Sequence, residues 1–154
     1  MAQVPADPSL RLRSAVEKAY SAAAEQPLDK HAFPVGRVLA ERLGYPTEML
    51  ETLPPVSVEA FAGVSNVAVF AAIAAGATVL DVGCGAGLDS LIAARRTGAG
   101  GRVIGIDFSG AMLSRARQAA AAFGVDVTFC RGDAEHLPLE DAAADVALVN
   151  GIFN

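Results

Sequence analysis

The chain has 154 residues, room for one domain with a sizeable core and cramped for two. Its composition, 53% hydrophobic and 19% charged, excludes a disordered chain, and a formal charge of -5 argues against a nucleic-acid partner, whose phosphates want a basic face. Two cysteines, Cys84 and Cys130, make no disulfide framework and stand too far apart for a CxxC redox or zinc motif, so the chain reads as reduced and cytoplasmic, with no metal expected.

Residues 1 to about 9 hold two prolines and read as a loose tail without the apolar core of a signal peptide. Leu12, Val16, Ala19 and Tyr20 recur at helical spacing and predict a helix over about 10–24, broken by Gln26, Pro27 and Asp29. A second short helix is expected over about 35–43, stopped at Gly44. Thr47 is placed as the cap of a short helix through Glu51, ended by Leu53-Pro54-Pro55, and Ser57 as the cap of another turn. Residues 66–75 read as one more helix, packed through Val67, Phe70, Ala71 and Ala74. Arg11 and Arg13, and the pair Arg95–Arg96, read as solvated helix faces. The run from Val67 to Val82 is too short and too interrupted by glycine to span a membrane.

The character changes at Gly76, which divides a helical leader or cap, 1–75, from a core, 76–154. Thr78 to Val82 is a β-prone apolar run that predicts a buried parallel strand. A helix follows over about 88–96, then a strand from Val103 to Ile106 and a helix capped by Ser109 and ended by Gly124. Val125 to Cys130 and Val146 to Val149 are the third and fourth strands. Alternation of strand and helix with short connections predicts an α/β sheet with right-handed crossovers.

The first strand runs into Gly83-Cys84-Gly85-Ala86-Gly87 and a helix. A tight strand-to-helix turn needs backbone angles that glycine reaches cheaply, and the helix start offers free N–H groups to an anionic ligand group. No Lys-Ser/Thr follows, which excludes a nucleoside-triphosphate loop. Asp107, at the end of the second strand, can accept two hydrogen bonds from a ribose diol. Turn and acid together imply a ribose-bearing cofactor. The third glycine comes one residue earlier than in the dinucleotide fingerprint, and Asp81 sits on the strand end itself, so a nicotinamide oxidoreductase is disfavoured.

The stretch Val79 to Gly87 resembles the first motif of class I S-adenosylmethionine-dependent methyltransferases. Gly105-Ile106-Asp107-Phe108-Ser109 with Met112-Leu113 and Ala116 resembles their second motif, and Gly132 to Pro138 their third. Asp145 to Asn150 resembles their fourth strand and its exit. The resemblance implies a Rossmann-like fold with S-adenosyl-L-methionine as cofactor. It implies that Gly83, Gly85 and Gly87 cradle the methionine part, that Asp107 binds the ribose, and that Phe108 lies against the adenine. Asp133 would accept from the adenine amino group, the Ala134 N–H would meet the ring, and Asn150 would line the reaction centre. Asp81 is counted with these cofactor-binding residues, and Tyr20 is placed on the substrate or over the cofactor. His136, Cys84 and Cys130 read as structural or surface residues.

Gly44 to Leu50, followed by Leu53-Pro54, resembles the segment before the core in arsenite methyltransferases, and Asn150 to Asn154 resembles their asparagine-x-x-x-asparagine run. In that branch a cysteine stands where this chain has Val64, between Gly63 and Asn66. Trivalent arsenic needs converging thiolates, which valine does not supply. The expected acceptor is therefore another small molecule, closed over by Leu50, Leu53, Val56 and Phe61; arsenite methylation and a non-catalytic cofactor-binding or partner subunit are the alternatives. The chain stops just past the fourth strand, where the family continues with three more, so a truncated fold completed in a homo-oligomer is expected.

Overall fold

The computed structural model describes residues 8–152. The expected tail, apart from its last residues, and the final Phe153 and Asn154 of the asparagine run lie outside them. Five leader helices come first: α1 (Pro8–Glu25), α2 (Arg37–Arg42), α3 (Thr47–Thr52), α4 (Pro55–Val58) and α5 (Val67–Phe70). The core follows as β1 (Thr78–Val82), α6 (Leu88–Thr97), β2 (Arg102–Asp107), α7 (Gly110–Phe123), β3 (Thr128–Arg131) and β4 (Val146–Val149).

The four strands form one parallel sheet in the order β3-β2-β1-β4. The order runs outward from β1 to β3 and then returns to the far side of β1. A crevice therefore opens beyond the carboxyl ends of β1 and β4, where open α/β sheets bind their ligands. Val79 in β1 aligns with Val103 in β2 and Val146 in β4, so the ends of all three strands reach the crevice together.

Alternation along the strands sends side chains to two cores. Val79, Val103, Phe129 and Leu148 pack with Leu88, Leu91 and Ile92 of α6 and Leu113 and Ala116 of α7. The leader joins this core through Leu50, Leu53 and Phe61. On the opposite face Leu80, Val82, Ile104 and Ile106 are covered by Leu139, Ala144 and Ile152. Every one of these four strand residues is buried, so each of the two central strands presents apolar side chains on both faces, as parallel sheets require.

Several local expectations are corrected. Pro46, not Thr47, holds the cap position of α3, and Ser57 lies inside α4, which Pro55 starts from its first helical position. The helix expected over 66–75 ends at Phe70. Ala71 is extended, and Arg96 donates from Nη1 to the Ala68 carbonyl at 2.7 Å, taking a group the next turn would use. Phe70 is 68% exposed and Ala68 takes the buried position instead. Arg96 is thus tied to the leader, and Arg95 lies 5.4 Å from the Phe123 ring centroid; neither is merely solvated. β3 begins at Thr128, because Val125 still donates to Ala120 in the wrap-up of α7. Leu50 and Leu53 are core residues and do not border the cleft; of the apolar leader residues expected to close over a substrate, Phe61 alone does.

Candidate functional site

A cavity of about 710 Å³ lies between the crevice and the leader. Its floor is the glycine turn. Gly83 and Cys84 both donate to the Ile106 carbonyl, at 2.8 and 3.0 Å, which folds the turn back onto β2. Gly85 has φ +53°, and a Cβ there would meet nothing within 4 Å, so its backbone faces open cleft. Gly83 and Gly85 both line the cavity. Gly87 does not: it is buried against α7, where a Cβ would come within 3.0 Å of the Ala116 Cβ. The third glycine brings two helices together, and the cradle is made by the first two.

Asp107 stands at the carboxyl end of β2, 6% exposed. Its Oδ2 accepts from the Gly85 N–H at 2.8 Å and its Oδ1 from the Ser109 N–H at 2.8 Å. Each oxygen keeps a lone pair for a ligand hydroxyl. Burial pushes its pKa up, against these backbone bonds. Phe108 follows, half-buried, with the Tyr20 ring edge-on at 6.0 Å, and Tyr20 packs on Phe33 at 4.8 Å. Asp133 and Ala134 border the same end of the cavity. Asp133 accepts from the Glu135 N–H at 3.0 Å and pairs with Arg13 of α1 at 2.6 Å, and Arg13 also reaches Glu135. The Glu135 amide first, and Arg13 second, hold the Asp133 carboxyl below its usual range. Arg131 pairs with Glu17 at 2.7 Å, so two sets of ion pairs hold α1 across the opening. Leu12 and Val16, on the helix that their spacing predicts, are 66% and 37% exposed and line the cavity.

The other end of the cavity is built from buried carboxylates and an amide. Asp81, 1% exposed, accepts from the Ser90 hydroxyl at 2.5 Å. Asp89, in the first turn of α6, accepts from the Tyr45 hydroxyl at 2.6 Å and from Asn150 Nδ2 at 2.8 Å. Asn150 Oδ1 accepts from the Val64 and Ser65 N–H groups at 2.8 and 3.0 Å, and Nδ2 also donates to the Ser65 carbonyl at 2.8 Å. Two lone pairs and two N–H bonds are thereby used in full. Asn150 borders the cavity as expected, but its polar atoms clamp the leader strap 63–66, which leaves none for a ligand. Gly63 permits the clamp: a Cβ there would lie 2.6 Å from Asn150 Nδ2 and 2.7 Å from the Phe61 ring.

Among the described residues no Lys, Arg or His pairs with Asp81, Asp89 or Asp107. Burial first, and the neighbouring Asp89 next, push Asp81 up to about 8, and burial raises Asp89. The folded protein therefore keeps protons that the unfolded chain has released. This contribution to stability is complete below the ordinary carboxylate value of 3.8 and is lost as the pH rises through about 8. The expected result is a urea midpoint that falls between about pH 4 and pH 8 without ligand. A midpoint that climbs across that range would show these carboxyls to be ionised at low pH.

Nine of the ten residues singled out from sequence border one cavity, Gly87 being the tenth. Sequence reasoning missed Arg13, Tyr45, Ser57, Gly63 and Asp89. Asp89 carried a signal, an acid in the first turn after a glycine cradle. Tyr45 lay inside a motif quoted for other reasons.

A parallel sheet with its crevice at the β1/β4 reversal, a glycine turn and an acid at the end of β2 define a Rossmann-like domain for a nucleoside-bearing cofactor. The Methyltransferase domain family matches residues 73–154, and the chain belongs to that family. The chain is 38% identical to the arsenite methyltransferase of Halobacterium salinarum over 116 residues, 75% of this chain and 29% of that protein. It is 45% identical to the 2-phytyl-1,4-naphtoquinone methyltransferase of Synechococcus elongatus over 76 residues, 47% of this chain and 32% of that protein. It thus spans about a third of these curated relatives. A crystal structure of an arsenic(III) S-adenosylmethionine methyltransferase from Chlamydomonas reinhardtii aligns with a TM-score of 0.53 at 31% identity, over 76% of this chain and 39% of that one. The cofactor that the family implies is S-adenosylmethionine. The residues present fit it, with an open glycine backbone at Gly85 and an Asp107 carboxylate already aimed by two amides.

Proposed function

We propose that this chain binds S-adenosyl-L-methionine in the cleft and serves methyl transfer to a small organic acceptor. One observation carries the reading: three buried carboxylates, Asp81, Asp89 and Asp107, gather around an open glycine turn, and among the described residues no side-chain cation pairs with them. Uncompensated buried carboxylates are costly unless a cationic ligand faces them. The cofactor supplies a methyl group activated by a sulfonium charge, and its ammonium adds a second positive centre. Asp107 would orient the ribose, Phe108 and Ala134 would bracket the adenine, and Asp133 would meet its amino group. Asp81 and Asp89, protonated while the cleft lacks a cation, would release their protons to the cationic cofactor and set a negative potential at the methionine end. Tyr20 would cover the nucleoside, and the segment 60–63 that leads into the strap would shield the reacting end from water. Little else is asked of the protein, because the leaving group needs no protonation.

The acceptor is proposed to be other than trivalent arsenic. Val64 offers no thiolate, Cys84 is buried in one core, and Cys130 packs with the core on the opposite face of the sheet. Two thiols on opposite faces cannot converge on one ion. Calorimetry with S-adenosylmethionine and S-adenosylhomocysteine tests the binding, with micromolar or tighter affinity expected and NAD as the control. Binding of NAD and not of S-adenosylhomocysteine would reject the reading. Methylated arsenic found by mass spectrometry, with arsenite and a thiol reductant supplied, would reject the exclusion of arsenic.

A homo-oligomer in the cytoplasm, without nucleic-acid or membrane partners, is proposed on physical grounds alone. Among the described residues the outer edge of β4 pairs with no strand, and free edges invite pairing. No helix among them is long and apolar enough to cross a membrane. Sedimentation equilibrium showing only monomer would reject the oligomer.

A further inference from the structure

Ser57 sits in the leader, on the wall of the cleft. Its side chain is fully buried, and its Oγ is the one buried side-chain nitrogen or oxygen among the described residues that has no hydrogen-bond partner. Other buried hydroxyls are satisfied: Ser90 donates to Asp81, Thr97 to the Ala77 carbonyl, and Ser109 accepts from Met112. The orphan has a local cause. A serine in a helix can usually bond back to a carbonyl three or four residues earlier. Here the Pro54 carbonyl already accepts from the Ser57 and Val58 amides, at 3.0 and 3.3 Å. Pro54 and Pro55 have no N–H to offer.

A buried hydroxyl left unmatched disfavours the folded state, and alanine would suit this position better if folding were the only concern. Short-helix α4 is nonetheless held firmly, because Arg115 of α7 donates from Nη1 to the Val56 carbonyl at 2.9 Å. The hydroxyl is thus held in the wall of the cavity that Ser57 lines.

We propose that Ser57 is a cofactor contact, its hydroxyl donating a hydrogen bond to an acceptor atom of the small molecule held in the cleft. The inference rests on the reading of the cleft as an S-adenosylmethionine site. Ser57→Ala is compared with the unchanged chain by thermal melting without ligand and by calorimetry with S-adenosylhomocysteine and with 5′-methylthioadenosine. The expected result is a ligand-free melting temperature equal to or above that of the unchanged chain, together with a Kd for S-adenosylhomocysteine raised about 5- to 100-fold. If methylthioadenosine loses affinity in parallel, the contact is with the nucleoside; if it does not, the contact is with the aminoacyl end. Unchanged S-adenosylhomocysteine binding by the variant overturns the proposal and leaves the cofactor reading intact. A lowered ligand-free melting temperature also overturns it, by showing that the hydroxyl has a partner within the fold. Failure of the unchanged chain to bind S-adenosylhomocysteine overturns both.

Discussion

Asp107→Ala is expected to weaken S-adenosylhomocysteine binding by about 10- to 100-fold, the loss of charge-assisted hydrogen bonds to a ribose diol. The effect has two sources. The carboxylate receives both the Gly85 and the Ser109 amides, so its removal loosens the turn that forms the cradle. It also removes the two lone pairs left for the ligand. Asp107 is buried, so the desolvation that makes it expensive in the ligand-free protein also strengthens each bond it makes. Calorimetry on a variant shown to be folded by circular dichroism gives the result. Full affinity in a folded Asp107→Ala protein would place the ribose elsewhere.

Asn150→Ala is expected to release the strap. Four hydrogen bonds join this one amide to Val64, Ser65 and Asp89, and each is of order 1 kcal/mol net. Removal leaves Asp89 with one donor fewer in a buried position, so the loss should be about 3 kcal/mol or more. Urea unfolding reports the total. Hydrogen exchange reports the place, because the Val64 and Ser65 amides should exchange far faster while the β1 and β2 amides keep their protection relative to global unfolding. Gly63→Ala should show the same local pattern, since its methyl would meet Asn150 and Phe61. Unchanged exchange at Val64 and Ser65 in the Asn150 variant would mean that the strap is held by something else.

The core of the fold was legible in the sequence because its signals are local. Thr78–Val82 and Val146–Val149 coincide with the strands read from their apolar runs, and Ser109 and Gly124 bound α7 as their cap chemistry predicts. Backbone angles at glycine and hydroxyl caps depend on a few neighbouring residues, so pattern alone suffices. The leader was less legible. Its elements are four to six residues long apart from α1, too short for periodicity to separate a buried face from an exposed one. Phe70 reads as core from its helical spacing and is exposed, while Ala68 takes the buried position.

By itself the sequence determined the parallel sheet, the glycine turn and the acid of β2, since strand propensity, glycine conformation and spacing are properties of short stretches of chain. Only the tertiary structure decided what each polar group is occupied with. It spends Asn150 on the leader, sets Gly87 between two helices, brings Arg13 to Asp133 from 120 residues away, and leaves Ser57 without a partner. A hydrogen bond is a short-range, directional contact whose partners come from distant parts of the chain. The identity of a residue states what it can donate or accept, and the fold alone states what remains to be offered to a ligand.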